Sequence, residues 1–430
     1  MEKTSINIAL AGFGTVGTGL QDILQNNRDW IKKRLGKDIN IKKILVKDLN
    51  KVRTSIPDPH TIFTNNLEDL TEDPDLDIVV ELIGGKTTAY EIISRALESG
   101  KSVVTANKAL LAEKGPELFN LASKNNLGLY YEASVAGGIP IVQTLKESLA
   151  GNRIKSLTGI LNGTANFILS EMTHNQIDYD SALGEAQELG YAEAEPSLDV
   201  DGFDAAHKLT ILIRLAHGED YPLHMLPIKG IRGIDPYDIG KAKDFGYQIK
   251  LLAQVKEKSG SLQAGVFPAL IQNDHMLAKV DGPFNAVLLE GNAVGPIMLY
   301  GQGAGDLPTG SAVLSDIMSL VNKETGYNNT GFVDSNLPYA NMLQAEHTVF
   351  KHYFRFTVKD RPGVLSILSG IMGEHNISIA QVVQKQESEG QFVPVVFLTH
   401  SAQEKDVQNA LQEINELSFV KAPAIHYVIL

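Results

Sequence analysis

The chain has 430 residues and 43% hydrophobic content, which suits roughly three domains of about 150 residues each with packed cores. A formal charge of −13, with no Lys/Arg-rich block, argues against nucleic-acid binding. The absence of cysteine excludes disulfides, thiolate nucleophiles and Cys-ligated zinc or iron–sulfur centres, and fits a reducing cytoplasm.

In chain order, the N-terminus passes within a few residues into a strand, without the basic and apolar regions of a secretory leader. No apolar run is long enough to span a bilayer, so a cytoplasmic protein with no membrane partner is expected. Residues 1–132 alternate short apolar strands (6–10, 41–46, 78–82, 102–105 and 128–131) with helical stretches such as 17–24 and 89–98. That alternation predicts an α/β domain built on a parallel sheet with helices on both faces. Residues 133–335 mix expected helices (139–149, 165–172, 202–217) with alternating strands (262–266, 286–290), an α+β pattern. Within them, the glycine-rich residues 301–305 and a helix over 309–321 read as a return segment, near 301–322, completing the first domain. Residues 336–350 read as a linker. Residues 351–430 form a strand–helix–strand–strand–helix–strand series of ferredoxin-like type.

The first strand leads into Gly12, Phe13, Gly14, Thr15, Val16 and Gly17, a Gly-x-Gly-x-x-Gly pattern between strand and helix. There Gly12 permits a tight turn, Gly14 lets backbone approach a pyrophosphate and Gly17 allows close helix–strand packing. Lys47, Asp48, Lys51 and Arg53 follow the second strand; an acid there suits a ribose hydroxyl and a cation a 2′-phosphate, so NADP is favoured with NAD possible. Lys108 sits just past a later strand of the sheet, where the carboxyl ends face the ligand crevice. Gly303 is the expected backbone contact to the nicotinamide half, with an ordinary loop as the alternative.

The richest stretch is 190–209. An acidic loop with Glu193, Glu195, Asp199 and Asp201 runs into an apolar helix carrying Asp204 and Lys208 on one face. A charged pair on a buried helix is costly unless something uses or neutralises it. His207 reads as a packing residue. His174 and His217 lack companions at ligand spacing, so no zinc is expected.

The fingerprint at residues 12–17, Ala106-Asn107-Lys108, the segments 132–138 and 159–166, and the stretch 190–209 resemble homoserine dehydrogenases, in that order. The last region resembles an ACT domain, and together the matches cover nearly the whole chain. The resemblance implies NAD(P)-dependent interconversion of L-homoserine and L-aspartate 4-semialdehyde, on the route to threonine, methionine and isoleucine. It implies Lys208 as the catalytic lysine, Lys108 as a second lysine between cofactor and substrate, and Glu193 and Asp204 as substrate-holding acids. It implies a structural sodium-like cation held by Glu132 and the carbonyls of Val135, Gly137 and Ile139, although Glu132 capping a turn stays open. Physical chemistry agrees: alcohol oxidation needs a base, lysine serves once its pKa is lowered, and two lysines in a cleft would lower each other. Asn162 and Thr164 either shape the site's floor or only make a turn.

In the ACT-like region, the turn 360–363 with Asn376 and Ile377 is the expected place for an amino-acid effector such as threonine; a ligand-free pairing module is the alternative. A homodimer through the middle domain is expected, which ACT pairing would make a tetramer. Two competing functions stay open: a dinucleotide-binding amino-acid sensor on a dead dehydrogenase, and a dehydrogenase for another amino-acid aldehyde.

Overall fold

The structure is a computed structural model and describes residues 4–53, 58–322, 329–384, 391–421 and 423–430. The chain forms two compact units. One takes the residues through Gly163, Phe203–Leu226 and Pro283–Ala340; the other takes Thr164–Gly202, Pro227–Gly282 and Asn341–Leu430.

The first unit opens with six strands: β1 (Ser5–Ala11), β2 (Asp38–Leu45), β3 (Ile62–Thr64), β4 (Ile78–Glu81), β5 (Ser102–Thr105) and β6 (Leu129–Tyr130). Their order is β3-β2-β1-β4-β5-β6 and every neighbouring pair is parallel. Ile8, Leu10, Ile44, Val80 and Val104 fill its interior, as the apolar runs predict. The order reverses beside β1, the place where such sheets open a crevice at their carboxyl ends.

Five further strands follow: β7 (Ile154–Ile160), β8 (Tyr247–Lys258), β9 (Ser261–Gln272), β10 (Phe284–Gly291) and β11 (Gly295–Gln302). In the first unit β10 pairs antiparallel with both β7 and β11. Gly301 and Gln302 are the last residues of β11 rather than part of a loop. Helix Asp306–Asn322 then packs backbone against backbone on helix Thr15–Asn26. A Cβ at Gly19 would lie 2.2 Å from the Asp306 carbonyl oxygen, and one at Gly310 would lie 2.7 Å from the Leu20 nitrogen. Val313 and Ile317 of that helix join the same core as the parallel strands.

Residues 139–149 are not one α-helix. A short helix, Ile141–Gln143, gives way to a π-helical turn, Thr144–Ser148. The Leu149 amide donates to the Thr144 carbonyl at 2.8 Å, the wider pairing of that turn.

In the second unit β8 and β9 form a long antiparallel hairpin. The C-terminal strands are β12 (Val349–Lys359), β13 (Ile379–Val383), β14 (Phe392–Thr399), β15 (Ala402–Gln403) and β16 (Ile425–Ile429). The first of them starts inside the expected linker. Antiparallel order β16-β12-β14-β13, with helices Val364–Glu374 and Glu404–Asn415, gives the expected ferredoxin-like module. Phe356, Leu368, Phe397, Val407 and Ile414 pack its core.

Two features tie this module to the rest of its unit. Strand β16 also pairs parallel with β9, Val428 opposite Ala269 and Ile429 opposite Leu270. The guanidinium of Arg355 on β12 donates to both Asp238 oxygens, at 2.7 and 2.8 Å, and to Asp235 at 3.1 Å, and the Tyr353 hydroxyl donates to Asp238 at 2.7 Å. No helix among the described residues is long and apolar enough to cross a membrane.

Candidate active site

At the carboxyl end of β1, Gly12 takes φ +105°, and a Cβ there would press on the Leu82 carbonyl oxygen at 2.9 Å. Only glycine fits that turn. Gly14 has nothing within 4 Å of an added Cβ, leaving open space in front of the first turn of helix Thr15–Asn26. Unpaired N–H groups and the helix dipole there suit an anion. Phe13 meets Phe63 edge-on, and the Arg53 guanidinium lies 4.8 Å over the Phe63 ring. A cation thus stands on the aromatic pair beside the fingerprint loop.

The ends of β4 and β5 are organised by Glu81, which sequence reasoning missed. One carboxylate oxygen accepts from the Thr105 hydroxyl at 2.6 Å, and the other accepts from the amides of Ile83 and Gly84. Burial pushes this carboxyl up, against those donors. The Thr105 hydroxyl in turn accepts from the Asn107 amide, and the Asn107 side chain caps the next helix by accepting from the Leu110 amide at 3.1 Å. That helix, Lys108–Lys124, begins with Lys108 and packs against helix Phe203–His217. Its partner helix is buried at nearly every position from Asp204 to Leu215, as its apolar sequence demands.

The helix pair brings three predicted residues together. Lys208 Nζ donates to Asp204 Oδ2 at 2.7 Å and to the Leu161 carbonyl at 2.6 Å. Lys108 Nζ lies 3.0 Å from Asp204 Oδ1. Asn162 Nδ2 donates to Asp204 Oδ2 at 2.9 Å. Burial alone would push the Asp204 carboxyl up; the ammoniums of Lys208 and Lys108, with the Asn162 amide, outweigh it and hold the group well below the usual carboxylate range. The two lysines therefore do not face each other bare, as the sequence suggested: a carboxylate bridges them. Lys208 is 9% exposed and Lys108 42%, so one ammonium is enclosed and the other meets solvent. His207, next to Lys208, is pushed down by burial.

Asn162 therefore holds Asp204 directly. Asn285 on β10, which sequence reasoning did not single out, donates to the same Leu161 carbonyl at 3.0 Å. Its own Oδ1 is buried with no hydrogen-bond partner among the described residues. Gly303 packs against Asn285: a Cβ there would lie 2.2 Å from the amide group. No sequence signal links β10 to this site, because the contact is made by folding.

Glu193 belongs to the second unit, on an exposed loop whose backbone carbonyl accepts from Gln187. The neighbouring acids serve local structure: Asp201 accepts from Arg232 at 2.5 Å, and Glu195 accepts from Ser197. Thr164 donates to the Tyr191 carbonyl at 2.5 Å, a turn-binding role.

Glu132 starts a 3₁₀ turn, and its carboxylate accepts from the amides of Val142 and Gln143 at 2.8 and 2.7 Å, a capping role. Its own amide donates to Asp316, a buried acid not anticipated from the sequence, at 2.7 Å. Burial pushes Glu132 up to about 7; burial and the Glu132 charge push Asp316 up as well. Between Val135 and Ile139 the chain turns through positive φ at Ala136 (55°) and Gly137 (56°).

Comparison with known proteins identifies the assembly. Residues 12–132 match the homoserine dehydrogenase NAD-binding domain, 140–318 the homoserine dehydrogenase family and 352–419 the ACT domain. The chain belongs to the homoserine dehydrogenase family. Homoserine dehydrogenase of Neisseria gonorrhoeae is 41% identical over 423 residues, 97% of each chain. The solved homoserine dehydrogenase of Thiobacillus denitrificans superposes with TM-score 0.92 at 39% identity, over 99% of this chain and 98% of that one. A hyperthermophilic archaeal homoserine dehydrogenase in complex with NADPH matches with TM-score 0.63 at 30% identity, over 75% of this chain and 99% of that one. The chain is accordingly an NAD(P)-dependent oxidoreductase acting on the CH–OH group of homoserine, with a Rossmann-type domain and a C-terminal ACT domain.

Proposed function

We propose that Lys208 transfers the proton between homoserine and L-aspartate 4-semialdehyde, with Lys108 as the second lysine between cofactor and substrate. The observation behind this is the Lys108–Asp204–Lys208 bridge, in which one ammonium is enclosed and anchored by the Leu161 carbonyl. When bound, the nicotinamide supplies the hydride acceptor. In oxidation Lys208, as the neutral amine, takes the hydroxyl proton; in reduction its ammonium returns one to the carbonyl oxygen. Asp204 orients Lys208, and with Glu193 offers a carboxylate to the substrate's α-ammonium. Substituting Lys208→Ala should lower kcat by at least about 10²-fold, the usual contribution of a positioned acid–base group. NADP binding, read by fluorescence titration, should change little. Near-normal turnover in that variant would refute the role.

The cofactor is NADP in preference to NAD, with Gly12 to Gly17 cradling the pyrophosphate, Gly303 near the nicotinamide, and Arg53 favouring the 2′-phosphate. Arg53 rests on Phe63 beside the fingerprint loop, which supports that reading. Arg53→Ala should raise KM for NADP and leave KM for NAD unchanged; equal effects on both would reject it.

Glu132, with the carbonyls of Val135, Gly137 and Ile139, holds a sodium-like cation. The residues fit: two desolvated carboxyls pushed upward stand beside a loop whose positive φ values re-aim successive carbonyls. Threonine or a related amino acid binds the ACT domain near residues 360–363, Asn376 and Ile377, giving feedback control. No effect of threonine on activity or thermal stability would count against that. The chain divides functionally at residues 1–132 (with 301–322), 133–335 and 351–430. It acts in the cytoplasm as a homodimer through the middle domain or a tetramer through ACT pairing; a monomer in sedimentation would overturn this.

A further inference from the structure

A second cluster of chemistry-bearing side chains lies in the C-terminal module. Strand pairing places Phe354 opposite His426 and His352 opposite Val428, so the two histidines sit diagonally on one face of the sheet. Their rings are 5.1 Å apart, and His352 Nδ1 stands 2.9 Å from His426 Nε2. Phe354 stacks against both imidazoles, at 5.8 and 5.0 Å, and fixes their planes. Strand β15 pairs Ala402 with Phe350, and the Glu404 amide donates to the Thr348 carbonyl at 2.9 Å. This delivers the Glu404 carboxylate to the same point. One ligand atom from each of His352, His426 and Glu404 lies within 4.8 Å of the others. His426 and Glu404 also line a cavity of about 250 Å³, together with Lys229, Gln254, Gln408 and Tyr427.

We propose that His352, His426 and Glu404 form a binding site for a zinc-like divalent transition-metal ion. Metal–imidazole bonds of about 2.0–2.1 Å at a tetrahedral angle put two ring nitrogens about 3.4 Å apart. The 2.9 Å contact is within about half an ångström of that spacing. It also requires one of the two nitrogens to be an unprotonated acceptor, so a lone pair already points into the gap. The other nitrogen of His352, Nε2, faces the Ala402 carbonyl at 3.4 Å. A carbonyl only accepts, so Nε2 carries the His352 proton and the proton between the rings belongs to His426 Nε2; when the ion enters, that proton moves to His426 Nδ1. The Ala402 carbonyl holds the His352 tautomer that leaves Nδ1 free to bind, the usual outer-shell arrangement for metal-bound histidine. No net proton is gained or lost by the imidazoles.

Two nitrogens and one carboxylate oxygen suit Zn²⁺, Co²⁺ or Ni²⁺, not Ca²⁺ or Mg²⁺, which prefer all-oxygen shells. Three protein ligands leave a fourth position, and the cavity gives it room. Lys229 is the opposing charge; its ammonium donates to the His426 carbonyl at 2.8 Å. Sequence reasoning discounted zinc because it looked for local spacing around His174 and His217. These ligands come from two paired strands and a helix start, and their sequence separations carry no motif.

The test uses the full-length enzyme, freed of transition metals with a chelating resin and kept at constant sodium concentration. Co²⁺ is titrated while the visible ligand-field bands are recorded, and Zn²⁺ binding is followed by calorimetry. One equivalent per chain is expected, with tetrahedral-type Co²⁺ bands that Zn²⁺ displaces and that Ca²⁺ and Mg²⁺ do not. Glu404→Gln and His426→Asn should each weaken binding by tenfold or more while homoserine oxidation is retained. Glu404 is only half-buried, so its variant remains informative if the histidine variant folds poorly. Absence of a one-equivalent site, affinity unchanged in a folded variant, or displacement by Ca²⁺ would overturn the assignment.

Discussion

Asp204 bridges the two lysines of the candidate site, and replacing it tests stability and chemistry separately. At 2.7 Å and an effective dielectric of about 20, its attraction to Lys208 is about 6 kcal/mol before desolvation is subtracted. Removing one partner of a buried pair costs about 3–5 kcal/mol, because the other charge is left uncompensated. An asparagine in its place would keep an acceptor oxygen for Lys208, so Asp204→Asn should fall near the lower end, about 3 kcal/mol. In a unit of this size that corresponds to roughly 6–12 °C in the unfolding midpoint. Adding Lys208→Met removes the stranded charge and should restore most of that loss; Lys108, already partly in water, needs no buried partner. Turnover should stay abolished in the double variant.

The pH dependence has a definite sign. Asp204 titrates below the usual carboxylate range, so its stabilisation is complete above the unfolded value near 4 and is lost as pH falls below about 4. Wild type should lose stability in that window more steeply than the double variant. Differential scanning fluorimetry across pH, with homoserine-dependent NADP reduction, makes both measurements. If Asp204→Asn is as stable as wild type, or the double variant is no more stable than the single, the bridge does not carry the charge balance described.

Two glycines, one capping helix Thr15–Asn26 and one inside it, should behave oppositely. Gly19→Ala drives a Cβ into the Asp306 carbonyl and should cost about 1–3 kcal/mol of stability, whereas Gly14→Ala should leave the melting temperature unchanged and weaken cofactor binding. Glu132→Gln should abolish a stabilisation of the wild-type enzyme by sodium over choline chloride, measured by thermal unfolding; equal responses would argue against a cation at that residue. Arg355→Ala leaves the fully buried Asp238 with only Tyr353 among its side-chain donors and should destabilise the second unit by about 3–5 kcal/mol, detectable as faster hydrogen exchange in β12 and in helix Pro236–Asp244.

The parallel sheet, the fingerprint turn and the ferredoxin-like module were all legible in sequence, because each is written locally: apolar strands, glycines at fixed offsets, a turn before a helix. The i,i+4 pair Asp204–Lys208 was legible for the same reason. What was not legible depends on contacts between distant segments. Asn285 reaches Leu161 only through the pairing of β10 with β7. Glu81 reads as one apolar-strand terminus among several until Thr105 on β5 lies beside it. Asp316 is an acid in the middle of an apolar helix, a signal that could have been noticed, since such a residue demands a partner. The break in residues 139–149 is a shift from i→i−4 to i→i−5 pairing, which periodicity does not report.

The pairing of β16 with β9 gives the C-terminal module a second role. Only Val428 and Ile429 are in register with β9, and the Leu430 amide adds one more bond to Leu270. That short seam covers a hydrogen-bonding edge of β9 that would otherwise be open. A chain cut before residue 351 would therefore lose more than the ACT domain. It would present a bare strand edge beside buried Ala269 and Leu270, a template for pairing with another chain. The last three residues act as an edge guard, and truncations meant to isolate the catalytic part should replace them with a charged or proline-bearing strand to stay soluble.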